Sequence, residues 1–171
     1  MSSDLPAPSL SLTVLRKGNA RFSNSVIDAD ALPHRLLSGR RPACIADIVV
    51  VGDFPVPVEM LFDCGLGELK VFRVGAADLH HGCLDALQRR VTQGATSLVI
   101  VLTASAVSSA ETIAKDASQL LNTLQASFAN VAPANVAPAS VAPANFAPED
   151  LLICAAQWHP ATGVVEFSHD G

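Results

Sequence analysis

The sequence predicts an α/β fold with a mostly parallel central β-sheet flanked by helices and a helical arm at the N-terminal end. Short β-branched runs alternate with amphipathic helical segments, as in sheets built from right-handed crossovers. The first of these runs, at 44–51, is almost continuously apolar, which is typical of a strand buried on both faces of a parallel sheet. The chain has 171 residues and is 50% hydrophobic, so we expect a single domain, 1–171, with one core.

Each element is predicted from its periodicity and its end signals. The strands are short apolar or alternating runs, predicted at 44–51, 69–74, 97–102, 151–158 and 163–167. The helices have apolar residues on one stripe and end near Gly or Pro, and they are predicted within 9–24 and at 30–37, 59–62, 83–93 and 109–128. In the segment 9–24, we predict a short helix that ends at the stop signal Gly18-Asn19.

A five-residue repeat separates the last helix from the last strands. Residues 129–148 contain the sequence NVAPA-NVAPA-SVAPA-NFAP. Proline at every fifth position excludes a helix and a central strand, because each proline removes a backbone donor and fixes φ. We predict an extended or polyproline-like surface loop that acts as a spacer, with binding to a proline-recognising partner as the alternative.

Charge and hydropathy argue against two classes of partner. The formal net charge is −5, and no basic run or basic–aromatic pattern suggests nucleic acid; the pairs Arg40-Arg41 and Arg89-Arg90 are interpreted as solvated. No apolar run is long enough to span a membrane, and the first residues lack the features of a signal peptide. We therefore expect a cytoplasmic protein with no nucleic-acid or membrane partner. Its four cysteines lack CxxC spacing and are predicted to be free thiols.

Five segments, in order, resemble β-class carbonic anhydrases. They are LRKGNARF (15–22), GRRP (39–42), VPVEMLFDCGLGELKVFRVGA (56–76), the strand before Thr103, and WHPATGVV (158–165). The third is similar to the family pattern V-x-P-E-x-L-F-D-x-G-L-G-D-L-F-V-x-R-x-A-G, and the last to Tyr-Asp-x-x-Thr-Gly-x-Val. The resemblance implies a β-carbonic-anhydrase-like fold and a homodimer in which the N-terminal arm packs across the partner.

The same resemblance identifies where a zinc site would lie. Active members bind zinc through the Cys of a Cys-x-Asp-Ser-Arg motif and through the His and Cys of a His-x-x-Cys motif. The metal lowers the pKa of a bound water so that hydroxide can attack CO₂. In this chain Val51 falls at the first Cys, Ala104 at the His and Val107 at the second Cys. None of these side chains has a lone pair to donate, so we predict no metal and no cofactor there.

The residues that surround the zinc site in the family have changed as well. Asp53 matches the motif Asp, but Phe54 replaces the Ser and Pro55 replaces the Arg that pairs with that Asp. Arg40 stands where the family has a Gln that orients CO₂. We therefore infer a collapsed apolar pocket around the three former ligand positions.

Three other features could carry chemistry. His80, His81 and Cys83 form a local His/Cys cluster, which we interpret as a loop and a helix start, with a relocated metal site as the alternative. Asp53 follows a buried strand at the edge where open α/β sheets bind ligands. We interpret it as a turn cap, with a general-base role as the alternative. Trp158 is interpreted as a packing residue.

These observations predict a zinc-free pseudoenzyme that acts as a scaffold, a regulator or a small-molecule binder. One alternative is an enzyme: a divergent carbonic anhydrase or lyase, catalysing reversible CO₂ hydration with a relocated metal, or a metal-free catalyst that uses Asp53. The other is an inactive subunit that pairs with a true carbonic anhydrase, with the repeat loop as a contact. The sequence names no ligand or physiological partner.

Overall fold

The computed structural model describes residues 5–24, 44–52, 54–75, 82–105, 118–120, 122–126 and 151–168. Its helices are α1 (Pro8–Ser23), α2 (Val58–Leu61) and α3 (Gly82–Thr92), and its strands are β1 (Ala46–Val51), β2 (Leu69–Val74), β3 (Leu98–Ala104), β4 (Leu152–Trp158) and β5 (Val165–Phe167). Residues 118–120 and 122–126 are also helical. The predicted α/β class is confirmed.

The five strands form one sheet in the order β2-β1-β3-β4-β5. The first three pairings are parallel, and β5 pairs antiparallel with β4 as the predicted hairpin partner. The chain moves outward from β1 to β2 and then crosses back to place β3 on the other side of β1. In open α/β sheets, ligands bind outside the carboxyl ends of the strands at such a reversal. The topology therefore directs attention to the ends of β1 and β3.

Strands β1 and β3 consist almost entirely of apolar residues because both faces of the sheet are covered at these strands. All six residues of β1 are buried, and successive side chains enter opposite faces. Val50 belongs to a first cluster with Leu15 of α1, whereas Val49 belongs to a second cluster with Leu87 of α3 and with Leu124. We call these the α1-side cluster and the α3-side cluster.

Helix α1 continues through the predicted stop signal, so that prediction is wrong. Gly18 lies inside the helix, and a Cβ built on it would sit 1.8 Å from the carbonyl oxygen of Phe62. The residue is glycine because the backbones of α1 and the segment after α2 approach closely, which is another common use of this residue.

Asn19 ties three parts of the chain together. Its Nδ2 donates to the carbonyl oxygens of Leu61 (3.2 Å) and Gly163 (2.9 Å), and its Oδ1 accepts a bond from the backbone N–H of Val165 (2.8 Å). The side chain is buried with its hydrogen bonds satisfied by backbone groups. It therefore fixes α1 against both α2 and the β4–β5 hairpin.

The other predicted elements agree with the structure within about two residues wherever the structure describes them. Of the predicted helix at 109–128, residues 118–120 and 122–126 are described, and Leu120 and Leu124 are buried. The predicted helix at 30–37 and the repeat loop at 129–148 lie outside the described residues. Within the described part of the chain, no helix combines the length and the apolar character needed to cross a membrane.

Candidate functional site at the carboxyl edge of the sheet

Strand β1 ends in a tight turn at the carboxyl edge. Gly52 has φ of 81°, a left-handed conformation that glycine adopts without strain, and its N–H donates to the carbonyl oxygen of Val74 (3.1 Å). Just before it, Val51 is 1% exposed and packs in the α3-side cluster with Val74, Leu87 and Val91. The first position that the resemblance assigns to a zinc ligand is thus an aliphatic side chain inside the core.

Strand β3 ends beside β4 at the same edge. Ala104 is buried in the α1-side cluster, and its partner in the parallel register is Trp158. The backbone N–H of Ser105 donates to the carbonyl oxygen of Trp158 at 2.9 Å, which extends the pairing by one residue. The second position that the resemblance assigns to a zinc ligand is therefore a buried methyl group beside the strand that carries Trp158.

Val51 and Ala104 lie on opposite faces of the sheet. Val50 pairs with Leu102, and both belong to the α1-side cluster. One further step along β1 turns Val51 to the other face, whereas two steps along β3 return Ala104 to the same face as Leu102. The single apolar pocket predicted around both positions is therefore wrong for these two residues, because each fills a separate cluster. Val107, the third position, lies outside the described residues.

Of the residues after β1, Phe54 and Pro55 are apolar where the resemblance assigns polar ones. Asp53 lies outside the described residues, and Pro55 is exposed. Phe54 is buried, and its ring centroid lies 4.8 Å from that of Trp158 with the planes inclined at 46°. Its carbonyl oxygen accepts a bond from Nη1 of Arg73 at 3.1 Å. An aromatic pair thus stands where the resemblance places a serine.

Trp158 has a polar atom that the described residues around it do not satisfy. The residue is 4% exposed, and its Nε1 is buried with no hydrogen-bond partner among the described residues. The side chains of Phe54, Ala104 and Val165, which share its cluster, contain no acceptor. A buried donor without a partner costs about 1–3 kcal/mol, so such groups are uncommon. The residue packs on Phe54 in the α1-side cluster, as predicted, and it also stands at the end of β4, beside β3.

The residues present do not fit zinc at the positions that the resemblance assigns to it. Zinc in proteins takes sulfur, nitrogen or oxygen donors, and neither Val51 nor Ala104 supplies one. Of the residues that follow in the sequence, Phe54 and Pro55 offer no side-chain donor, and the carboxylate of Asp53 alone falls short of the four-coordinate site that zinc takes. The mismatch rests on the chemistry of the side chains.

The predicted His/Cys cluster falls only partly within the described residues. Cys83 is the second residue of α3, while His80 and His81 lie outside. Desolvation, followed by the nearby Asp47, raises the pKa of the Cys83 thiol to about 11. A thiol with that pKa is protonated near neutrality and is a poor metal ligand. Within the described ranges, no group of three or more His, Cys, Asp or Glu side chains is placed to hold a metal ion.

A second polar group lies at the opposite, amino edge of the sheet. Asp47 in β1 is fully buried, and Arg90 of α3 donates to it through Nε (2.7 Å) and Nη2 (2.9 Å). Arg90 also donates to the carbonyl oxygen of Ala95 (3.2 Å) and to the sulfur of Cys44 (3.4 Å). Desolvation raises the pKa of Asp47, and the hydrogen bond and charge of Arg90 oppose that rise. Because Arg90 pairs with a buried carboxylate, its interpretation as a solvated residue is wrong.

The cysteines bear out the sequence prediction. All four are described, and all four are free thiols. Burial raises the pKa of the Cys154 thiol to about 11, with Arg16 opposing the rise, and desolvation also raises the pKa of Cys44. These thiols are therefore poorly suited to nucleophilic chemistry near neutral pH.

The fold resembles that of solved carbonic anhydrases. The enzyme from Streptococcus mutans superposes with a TM-score of 0.50 and 17% sequence identity, covering 87% of this chain and 98% of that chain. A carbonic anhydrase from Glaciozyma antarctica gives a TM-score of 0.44 at 14% identity, covering 85% and 98% of the two chains. A Coccomyxa beta-carbonic anhydrase in complex with acetazolamide gives 0.45 at 15% identity, covering 91% and 85%.

No protein-family model matches the sequence, and no curated protein matches it. At 17% identity, the similarity to the Streptococcus mutans enzyme establishes the fold alone. The chain therefore has a carbonic-anhydrase-like α/β fold whose central sheet is mostly parallel.

Proposed function

We propose that this protein is a zinc-free member of the carbonic-anhydrase-like fold, a pseudoenzyme that binds a ligand or partner instead of hydrating CO₂. The observation that carries the proposal is the burial of Val51 and Ala104, which are 1% and 7% exposed, at the carboxyl ends of β1 and β3. These are the two described positions that the sequence resemblance aligns with zinc ligands. Hydrocarbon side chains there cannot coordinate a metal.

The replacement extends beyond the ligands, which supports a change of role over the loss of a single residue. Phe54 packs against Trp158 where the family motif has a serine, and the exposed Pro55 takes the place of the motif arginine. Groups that orient ligands and the bound water contribute to metal affinity and activity in their own right. Restoring one ligand would therefore not restore the chemistry.

Metal content and CO₂ hydration test this proposal directly. The purified chain is incubated with excess Zn²⁺, dialysed, and examined by elemental analysis and by stopped-flow CO₂ hydration. We expect well under one zinc per chain and hydration at the rate of the buffer alone. Stoichiometric zinc together with chelator-sensitive hydration would overturn the proposal in favour of a divergent lyase. Stoichiometric zinc without hydration would also contradict it, and His80→Ala with His81→Ala would then test a relocated site.

A reversion experiment tests the alignment of the former ligand positions. The triple variant Val51→Cys, Ala104→His and Val107→Cys supplies all three donors of the family. We expect no tight zinc uptake, because β1 and β3 direct the first two side chains into different clusters. The matched control is Val51→Ser, Ala104→His and Val107→Ser, which lacks the thiols. Tight uptake by the cysteine variant alone would show that the two positions still converge on one metal.

The proposal includes assembly as a homodimer, as the sequence resemblance implies. Two features support it: β2 is an edge strand of the sheet, and the large apolar side chains of Met60 and Leu66 are 50% and 60% exposed in the single chain. Sedimentation equilibrium gives the mass in solution, and a monomer at micromolar concentration would contradict this part of the proposal. Co-purification with an active carbonic anhydrase from the same cell would instead identify a partner subunit.

A further inference from the structure

We propose that the α1-side face of the carboxyl edge is a binding site for a small uncharged ligand that carries a carbonyl oxygen, and that the indole N–H of Trp158 donates to that oxygen. This inference deepens the proposed function and rests on it, since it assigns a ligand class to an edge that holds no zinc. It begins from Nε1 of Trp158, a buried donor with no partner among the described residues.

The position of this donor favours a ligand over a packing defect. Trp158 is the last residue of β4 and pairs with Ala104, the last residue of β3. Both therefore stand at the carboxyl edge, beside the reversal of strand order between β1 and β3. Open α/β sheets bind their ligands at this place. A donor without a partner among the described residues at this edge is in the place where a ligand would supply the acceptor.

The surroundings of the donor determine the chemistry of the ligand. Phe54 provides an aromatic ring 4.8 Å from the indole ring, and Ala104 contributes only a methyl group. An anion would lose its hydration against these apolar groups. Arg73, the cation close to Phe54, is exposed and directs Nη1 to the carbonyl oxygen of Phe54. An uncharged molecule with an apolar body and one acceptor oxygen matches this set of groups.

The composition of the chain supplies a direct reporter. Trp158 is the one tryptophan in the sequence, and there is no tyrosine. Its indole N–H therefore gives a single side-chain signal in a ¹H–¹⁵N correlation spectrum, and its fluorescence is free of contributions from other tryptophans. Both signals report on the atom that the inference names.

The experiment compares two probes of the same shape on the full chain. Cyclohexanone carries the acceptor oxygen, and methylenecyclohexane replaces that oxygen with a CH₂ group. We expect cyclohexanone to shift the indole signal and to bind roughly tenfold more tightly than methylenecyclohexane, as one recovered hydrogen bond predicts. Sodium acetate serves as the anionic probe, and we expect it to leave the indole signal in place.

Two variants test whether the preference for cyclohexanone depends on the indole N–H of Trp158. Trp158→Phe keeps an aromatic ring and removes the donor, so the preference for cyclohexanone should disappear when binding is followed from the ligand signals. Gln93→Ala, at an exposed position just after α3, is the matched control and should retain the preference. Because the indole signal is read from the unmodified chain, the test stands even where Trp158→Phe folds poorly.

Several results would overturn the inference: an indole signal unmoved by cyclohexanone, equal affinity for the two cyclic probes, or a response to acetate alone. An ordered water held on the indole would give the first of these. The zinc and hydration measurements decide the proposed function separately. Metal-free, inactive protein with an unresponsive indole would refute this inference and leave the proposed function standing.

Discussion

At the amino end of the parallel sheet the buried Asp47 receives two hydrogen bonds from Arg90, whereas at the carboxyl end the buried indole of Trp158 has no partner among the described residues. The two edges belong to the same strands but differ in chemistry. Enzymes on open α/β sheets place their polar groups at the carboxyl edge. In this chain the ion pair with a fully buried carboxylate, Asp47–Arg90, is at the other edge, where it joins a strand to a helix. The buried charge of Asp47 therefore joins elements of the fold, whereas Phe54, Ala104 and Trp158 give the α1-side face of the carboxyl edge an apolar lining.

The largest expected effect comes from breaking the ion pair at the amino edge. Arg90→Met leaves the carboxylate of Asp47 buried without its partner. Breaking a buried ion pair costs about 3–5 kcal/mol of unfolding free energy. We expect a loss of about 3 kcal/mol, because Arg90 is partly exposed. The double variant Asp47→Leu with Arg90→Met removes both charges and should recover most of the loss. Urea unfolding of the three proteins measures both effects. Equal losses in the single and double variants would contradict this account.

The same single variant should show a characteristic pH dependence. Burial already raises the pKa of Asp47, and Arg90 opposes the rise, so removing Arg90 should raise the folded-state pKa further. A folded-state pKa above that of the unfolded chain means that the folded state binds the proton more tightly. The loss of unfolding free energy in Arg90→Met, relative to the unmodified protein, should therefore be smaller at acid pH and grow as the pH rises through the folded-state pKa of Asp47. A deficit independent of pH from 4 to about 8 would indicate a packing loss instead.

A smaller loss of stability is expected where α1 packs against the segment that follows α2. Gly18→Ala would place a Cβ 1.8 Å from the carbonyl oxygen of Phe62, and because backbone must move, we expect a loss of about 1–3 kcal/mol. Gly82→Ala is the matched control, since a Cβ there meets nothing within 4 Å. Thermal unfolding of the two variants gives the comparison. Equal stability would show that α1 can shift freely away from Phe62.

These differences also show which parts of the structure local sequence could predict. The strands were found within about two residues because a strand in a parallel sheet buried on both faces is a short apolar run, as β1 and β3 are. Gly18 was misinterpreted because glycine serves both helix ends and close backbone contacts. The choice between these uses depends on Phe62, 44 residues further along the chain.

The candidate site was harder to predict than the fold, because it depends on register and on distant partners. The aliphatic character of Val51 and Ala104 is visible in the sequence, but their separation onto opposite faces follows from the pairing of β1 with β3. Likewise, the sequence presents Arg90 as one of two adjacent arginines, and only the fold places it against Asp47, which is 43 residues away in the sequence. A hydrogen-bond donor without a partner has no local sequence signature at all.

The smallest expected change in stability comes from Trp158→Phe. The smaller ring loses packing contacts, but the substitution also removes a buried donor that has no partner within the described residues. An unpaired donor costs about 1–3 kcal/mol, so the two contributions should nearly cancel and the unfolding free energy should change by less than about 1 kcal/mol. Asn19→Leu is the contrast on the same face, because it leaves three backbone groups without the bonds that Asn19 makes. We expect it to lose clearly more stability than Trp158→Phe in the same urea titration. If Trp158→Phe were the more damaging of the two, the expected cancellation between lost packing and the removed donor would be wrong, and the contrast between the two edges would fail.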